Sequence, residues 1–209
     1  MTTTKPTPEE IKRALLHSAK TLFLRDGIAA TEMKAIAENA GLSRSTLYRY
    51  MIDKNQLAFL VAAEVLQDIA NPNMIFTANG QTNGFEKLSQ FSHLFLDTLC
   101  DNVSLVSFLS EFDSIFRSDY PSIPEAQEYI LTINRMLHRT AQFLFEGLAD
   151  GSVRELEDPL FYTSLLINTV FGLAERMLPR DEHYMKEHKT TARRVLESSV
   201  NILLDHIKA

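Results

Sequence analysis

The segment Gly41-Leu42-Ser43-Arg44-Ser45-Thr46-Leu47-Tyr48-Arg49-Tyr50-Met51 concentrates hydroxyl, guanidinium and phenol groups, and Lys54 follows closely. No carboxylate lies between Gly41 and Ile52. Such a set can donate hydrogen bonds to phosphate oxygens and to base edges while offering a polyanion no like-charge repulsion. Catalytic chemistry finds no comparable pattern. The chain has no Gly-x-Ser-x-Gly elbow, Gly-x-Gly-x-x-Gly loop, Walker sequence or His-Glu-x-x-His pair. Its one cysteine, Cys100, sits in an apolar helical pattern with nothing to activate it. His183 and His188 are five residues apart, which puts them on different helix faces and argues against a metal site. The expectation is a protein that is not an enzyme, with no catalytic residues, metal or cofactor.

The elements that must hold the cationic segment are legible on either side of it. Thr7-Pro8-Glu9-Glu10 is a capping box with proline at the first helical position, and Ile11, Leu15, Ala19, Leu22 and Phe23 then recur at steps of three and four until Asp26-Gly27. Thr31 opens a second segment, Glu32 to Ala40, with Met33, Ile36, Ala37 and Ala40 on one face. Ser43 caps a third, Arg44 to Tyr50, and Asp53 with Gln56 opens a fourth that runs toward Ala70. Two short helices joined across Gly41-Leu42-Ser43 have the organisation of a helix-turn-helix. Ala37, Gly41 and Leu47 stand where a steep crossing needs a small contact residue, a positive φ and an apolar lock. A hairpin that merely packs is the alternative, and the polar, cationic outside of the third helix weighs against it.

Composition agrees with helices throughout. In 209 residues, 45% are apolar and 23% charged, with only seven glycines and seven prolines, so disorder and a turn-rich all-β architecture are excluded. A single cysteine suits a reducing compartment, the first residues are polar where a signal peptide needs an apolar core, and no window of eighteen apolar residues occurs. A cytoplasmic protein without a membrane span is expected. The net charge of −6 is unevenly placed: residues 1–60 hold nine Lys/Arg against six Asp/Glu, while residues 61–209 hold twelve against twenty-one. A weakly basic head thus precedes an acidic, solvated body.

Asn71 to Gly84 reads as a loop, and the body beyond it as five helices over about Phe85–Cys100, Val103–Arg117, Pro124–Leu148, Pro159–Leu178 and Asp181–Ile207. Phe85, Phe91, Phe95, Phe108, Phe112 and Phe116 make the first two of these rich in aromatics, as buried helices are. On the last two, Tyr162, Leu166, Thr169, Leu173 and Met177 form one stripe, and Met185, His188, Ala192, Val195, Ser199, Ile202 and His206 another. Each stripe could face the chain's own core or a second copy.

The run from Gly41 to Met51, with Asp53-Lys54-Asn55-Gln56-Leu57, the first helix carrying Phe23 and Gly27, and Thr31 through Ala40, resembles the signature of the TetR family of bacterial transcriptional repressors. The likeness covers about the first 60 residues; Met51 and Asn55 depart from it where an aromatic and a glutamate are common. It implies an all-α fold of about nine helices, divided into a helix-turn-helix DNA-binding domain over 1–54 and an effector-binding and dimerisation domain over 55–209. By the same resemblance Arg44, Ser45, Thr46 and Arg49 face base edges or nearby phosphates. Tyr48, Tyr50 and Lys54 face the phosphate backbone, with Ser43 at the helix start and Thr31 and Lys34 flanking the groove. A small-molecule cavity would be lined by Phe91, Phe95, Phe108, Phe112, Tyr129 and Met136. Asp97, Glu111, Asp113, Asn134 or His138 are candidate polar anchors; acids turned inward would favour a lipophilic cation, and Arg135 or Arg139 an anion. The last two helices would form a homodimer through Leu166, Leu173, Met177, Ala192, Val195, Ser199 and Ile202. The implied function is a repressor that holds a palindromic double-stranded DNA operator and is released by an effector. A DNA-organising or occlusion protein with the same head and no effector is the alternative.

Overall fold

The computed structural model describes residues 6–51, 53–70 and 82–209. Most of the loop expected over 71–84 therefore lies outside the described residues. Among them the chain is all-α: α1 (Pro8–Asp26), α2 (Met33–Asn39), α3 (Arg44–Tyr50), α4 (Lys54–Ala70), α5 (Gly84–Asp101), α6 (Val103–Ile115), α7 (Pro124–Asp150), α8 (Pro159–Met177), α9 (Asp181–His188) and α10 (Ala192–Ile207), with one 3-10 turn at Leu178–Arg180. The only β pairing among the described residues is a single antiparallel bridge between Val153 and Lys208. No described helix is long and apolar enough to cross a membrane.

The starts follow the capping chemistry. Thr7 and Glu10 close the capping box on α1, and Asn83 and Glu86 form a second one on α5. Asp158 caps α8 and Thr191 caps α10. The helix expected without interruption over Asp181–Ile207 is two helices. Lys189 takes a left-handed conformation at φ 56, which ends α9, and Thr191 accepts from the Arg194 amide to begin α10.

The chain divides into two compact units, Met1–Val65 with Ser107–Ile130, and Leu66–Val106 with Leu131–Ala209. This division departs from the boundary expected at residue 54, and aromatic packing is the reason. Within the first unit, Phe59 on α4 lies 4.9 Å from Phe112, 4.7 Å from Phe116 and 5.7 Å from Tyr129 between ring centroids. Phe23 on α1 stacks on Phe108 at 6.3 Å. Burying such rings contributes more than any other contact of comparable size, so the aromatic half of α6 belongs with the N-terminal helices.

In the second unit α5, α8 and α10 pack against one another. Leu88, Leu99, Val170, Leu196 and Val200 are fully buried there. Arg193 on α10 donates to Asp97 at 2.6 Å and to Asp101 at 2.7 Å on α5. The Tyr162 hydroxyl donates to the Leu203 carbonyl, joining α8 to α10. Asp150, at the end of α7, accepts from the Gly84 amide at 2.7 Å and so serves the open start of α5. Three of the residues expected on a dimer face, Leu166, Met177 and Ala192, are buried in this core. The stripe on α8 thus faces the chain's own core at Tyr162, Leu166 and Met177, while Leu173 is half-buried. The exposed apolar residues of α8 are Leu160, Phe161 and Leu165.

Candidate nucleic-acid interface

The helix-turn-helix is built in the first unit by α2 and α3. At the end of α2 the Leu42 amide donates to Ala37 O at 2.9 Å and the Gly41 amide to Glu38 O at 3.0 Å. This Schellman pattern requires a left-handed residue at its centre, and Gly41 supplies it at φ 68. Leu42 then leads to Ser43, whose side chain accepts from the Thr46 amide at 3.1 Å to start α3. Ala37 and Leu47 are buried at the crossing, as their spacing requires. Behind it, buried Ser18 of α1 donates to Ile36 O at 2.8 Å and accepts from the Asn39 side chain at 3.0 Å, which fixes α1 against α2.

With Leu47 inward, α3 presents Ser43, Arg44, Ser45, Tyr48 and Arg49 to solvent. Tyr48 is 43% exposed, and the Arg44 guanidinium stands 5.5 Å from its ring centroid. The hydrogen bond to Tyr48 also pushes the Arg44 pKa up. Arg49 lies 5.2 Å from the ring of half-buried Tyr50. The hydroxyls of Ser43, Ser45 and Thr46 form a cluster with contacts of 2.9 Å. Planar guanidinium groups resting on aromatic faces beside a row of hydroxyls form a rigid donor surface suited to phosphate and guanine edges. Lys34 is exposed at the flank and pairs with Glu38 at 3.5 Å.

Two expected contact residues have other work. Thr31 is buried and its hydroxyl donates to Gly27 O at 2.7 Å, so it faces inward. It does not cap α2 either, since Glu32 occupies that position without a side-chain bond. The Lys54 ammonium donates to three carbonyls, Ile28 at 2.8 Å, Ala29 at 3.1 Å and Thr31 at 3.2 Å. A lysine has three donor hydrogens, so Lys54 here holds the connection between α1 and α2 and has no donor left over for a phosphate.

Glu111 is one of the residues expected as a cavity anchor. Its carboxylate instead accepts from the Ile28 amide at 2.8 Å and the Ala29 amide at 2.9 Å. The connection leading into α2 is thus gripped on its amides by Glu111 and on its carbonyls by Lys54. The only local hint was an acid within the mostly apolar run Val106-Ser107-Phe108-Leu109-Ser110-Glu111-Phe112.

The six expected cavity residues divide between the two units. Phe108, Phe112 and Tyr129 are buried in the aromatic cluster of the first unit. Phe91, Phe95 and Met136 belong to the second unit, where Phe91 stacks on Phe95 at 6.0 Å. Phe91 and Met136 line a cavity of about 450 Å³ together with Leu66, Gln67, Ala70, Thr132, Arg135, Arg139 and Thr140. No group of three or more His, Cys, Asp or Glu side chains among the described residues could hold a metal ion.

Residues 15–61 match the family model described as bacterial regulatory proteins, tetR family. The uncharacterized HTH-type transcriptional regulator Rv0472c of Mycobacterium tuberculosis is 34% identical over 67 residues, which span 32% of this chain and 29% of that protein. Among solved structures, the transcriptional regulator FadR from Bacillus subtilis in complex with stearoyl-CoA aligns with a TM-score of 0.66 at 16% identity. That alignment covers 92% of this chain and 97% of FadR. The ketosteroid transcriptional regulator KstR2 of Mycobacterium tuberculosis aligns with a TM-score of 0.64 at 18% identity, over 94% and 95% of the two chains. At these identities the likeness is one of fold. Residues 15–61, which carry the helix-turn-helix, are thus similar to bacterial regulatory proteins of the tetR family, and the all-helical fold is that of the solved structures.

Proposed function

We propose that the chain is a cytoplasmic transcriptional regulator that acts by binding, not by catalysis: a homodimer whose two α3 helices enter successive major grooves of a palindromic operator, and which a small molecule releases. The carboxylate-free donor surface of α3, held by the turn at Gly41, carries this reading. Arg44, Ser45, Thr46 and Arg49 read bases or nearby phosphates, while Ser43, Tyr48, Tyr50 and Lys34 orient the helix on the backbone. A weakly basic head making a few phosphate contacts binds poorly alone, and a rigid dimer makes the second contact intramolecular. Recognition helices must then stand about 34 Å apart, or a multiple of that, so a modest change of spacing releases DNA. Occupancy of a promoter by such a dimer excludes polymerase, which makes repression the simplest outcome.

For the dimer face, the exposed apolar side of α8 and α10 is the supporting feature: Phe161 is 65% exposed and Ile202 69%, with Leu165, Leu173, Val195 and Ser199 partly exposed beside them. The occlusion alternative has one observation in its favour, since the aromatic cluster around Phe59 is filled by the chain's own rings. The separate 450 Å³ cavity in the second unit favours a ligand-responsive protein. FadR, solved with stearoyl-CoA, is an example of a bound small molecule on this fold.

Selection of bound sequences from random duplex DNA tests the reading directly. The native protein is expected to enrich a two-fold symmetric site, and Arg44→Ala with Tyr48→Ala to abolish it at unchanged melting temperature. Enrichment that survives the double substitution overturns the assignment of α3.

A further inference from the structure

The two arginines of α3 are held differently. Arg44 is the first residue of the helix and is exposed. Tyr48 stands four residues on, and a helical side chain leans back over the turn before it. Its phenol thereby reaches Arg44, whose guanidinium lies 5.5 Å from the ring centroid and donates to the hydroxyl. A guanidinium carries five N–H donors in one plane, so the bond to Tyr48 orients that plane and leaves a donor edge for a second partner. Arg44 and Tyr48 line a cleft of about 320 Å³ in the first unit together with Glu32 and, at its flank, Lys34. The negative charge of exposed Glu32 acts on Arg44. A phosphate brought to this guanidinium therefore meets a carboxylate as well, whereas the uncharged edge of a base does not. Arg49 lies five residues after Arg44, about 140° around the helix, and rests 5.2 Å from the ring of half-buried Tyr50 in the last turn. In a helix-turn-helix the opening residues of the second helix are the ones that meet base edges.

We infer that Arg44 specifies a guanine, donating to O6 and N7 of one G·C pair in each half-site with Tyr48 positioning its guanidinium, while Arg49 adds phosphate affinity without sequence preference. The inference rests on the reading of α3 as the helix that enters the major groove and names the base it selects there. The guanidinium fork spans two acceptors, and guanine alone among the bases offers two side by side in that groove. An A·T pair in its place presents the adenine amino group, a donor, where guanine has O6.

The test uses the full chain on the symmetric site enriched from random duplex DNA, with each G·C pair replaced in turn by A·T in both half-sites and affinity followed by fluorescence anisotropy over a range of salt. For the native chain one symmetric position should cost about tenfold or more per half-site. Arg44→Ala should bind the G·C and A·T versions of that position equally, keep its preferences elsewhere and leave the salt dependence nearly unchanged. Arg44→Gln should move the preference there from guanine to adenine, because a glutamine amide pairs with adenine N6 and N7; lost folding cannot imitate that result. Tyr48→Phe should narrow the preference at that position alone, which a uniform loss of backbone contact would not do. Arg49→Ala should weaken all sites alike and reduce the slope of log affinity against log salt by about one per bound chain. An enriched site without a guanine preference, a preference that survives Arg44→Ala, or one relaxed by Arg49→Ala in its place overturns the inference and leaves DNA binding by α3 standing. Absence of any enriched site overturns both.

Discussion

Removing the Glu111 carboxylate tests how the helix-turn-helix is held. In Glu111→Ala the amides of Ile28 and Ala29 lose acceptors at 2.8 and 2.9 Å, and both sit on the connection that Lys54 also grips. Bonds to a charged acceptor contribute about 1.5–3 kcal/mol each when buried, and this site is half-buried, so solvent screening brings the pair to about 2–3 kcal/mol. For a chain of this length that corresponds to a fall in Tm of about 5–10 °C. Glu111→Gln keeps one neutral acceptor and should lose about half as much. Amide exchange localises the effect: the Ile28 and Ala29 amides should exchange about thirtyfold or more faster, at tenfold per 1.4 kcal/mol. Gly27 supplies a second handle. It sits at φ 90 and ψ 161, a region only glycine occupies readily, and a Cβ there would stand 2.8 Å from Glu111 Oε2. Gly27→Ala therefore costs the backbone strain, about 1–3 kcal/mol, plus displacement of the carboxylate. In the Glu111→Ala background only the strain remains, so the double variant should be less destabilised than the sum by about 1–2 kcal/mol. Strict additivity together with unchanged exchange at Ile28 and Ala29 would refute the clamp.

Two further outcomes follow from contacts in each unit. Lys54→Gln should lower Tm by about 3–8 °C, because three carbonyls lose their shared donor. It should leave the slope of log affinity against log salt unchanged, whereas loss of a true phosphate contact would reduce that slope by about one. Asp150 is held below the ordinary aspartate range, first by the Ser152 hydroxyl and then by the Gly84 and Ser152 amides. A lowered carboxylate stabilises the fold fully above its unfolded-state pKa, and that contribution disappears as pH falls through the folded value. The native protein should accordingly be more stable than Asp150→Asn near neutrality, with the difference shrinking below the ordinary aspartate range. A difference independent of pH in urea titrations would show that the charge is not the source.

Local chemistry made most of the helical framework legible. Thr7 with Glu10 and Ser43 mark helix starts within their own first turns, and Gly41 marks the turn that only a positive φ can close. These signals depend on bonds spanning three to five residues, so the chain displays them in order. The exposed donor set on α3 was legible for the same reason, since one inward residue, Leu47, determines which way the others point. The break at Lys189 escaped because its neighbours keep a helical apolar period, and only Thr191 betrays a new start.

What the sequence determined by itself was most of the helices, the caps of the head and the composition of the donor surface. Only the tertiary structure decided where long side chains end. Periodicity marks an apolar stripe without naming its partner, so Leu166 and Met177 turned to the chain's own core while Phe161 and Ile202 stayed outside. Glu111 meets amides 83 and 82 residues away, and Lys54 meets carbonyls 26, 25 and 23 residues away. A flexible charged side chain takes whichever unsatisfied backbone group packing brings within reach, and that choice depends on contacts between distant segments and not on spacing along one of them.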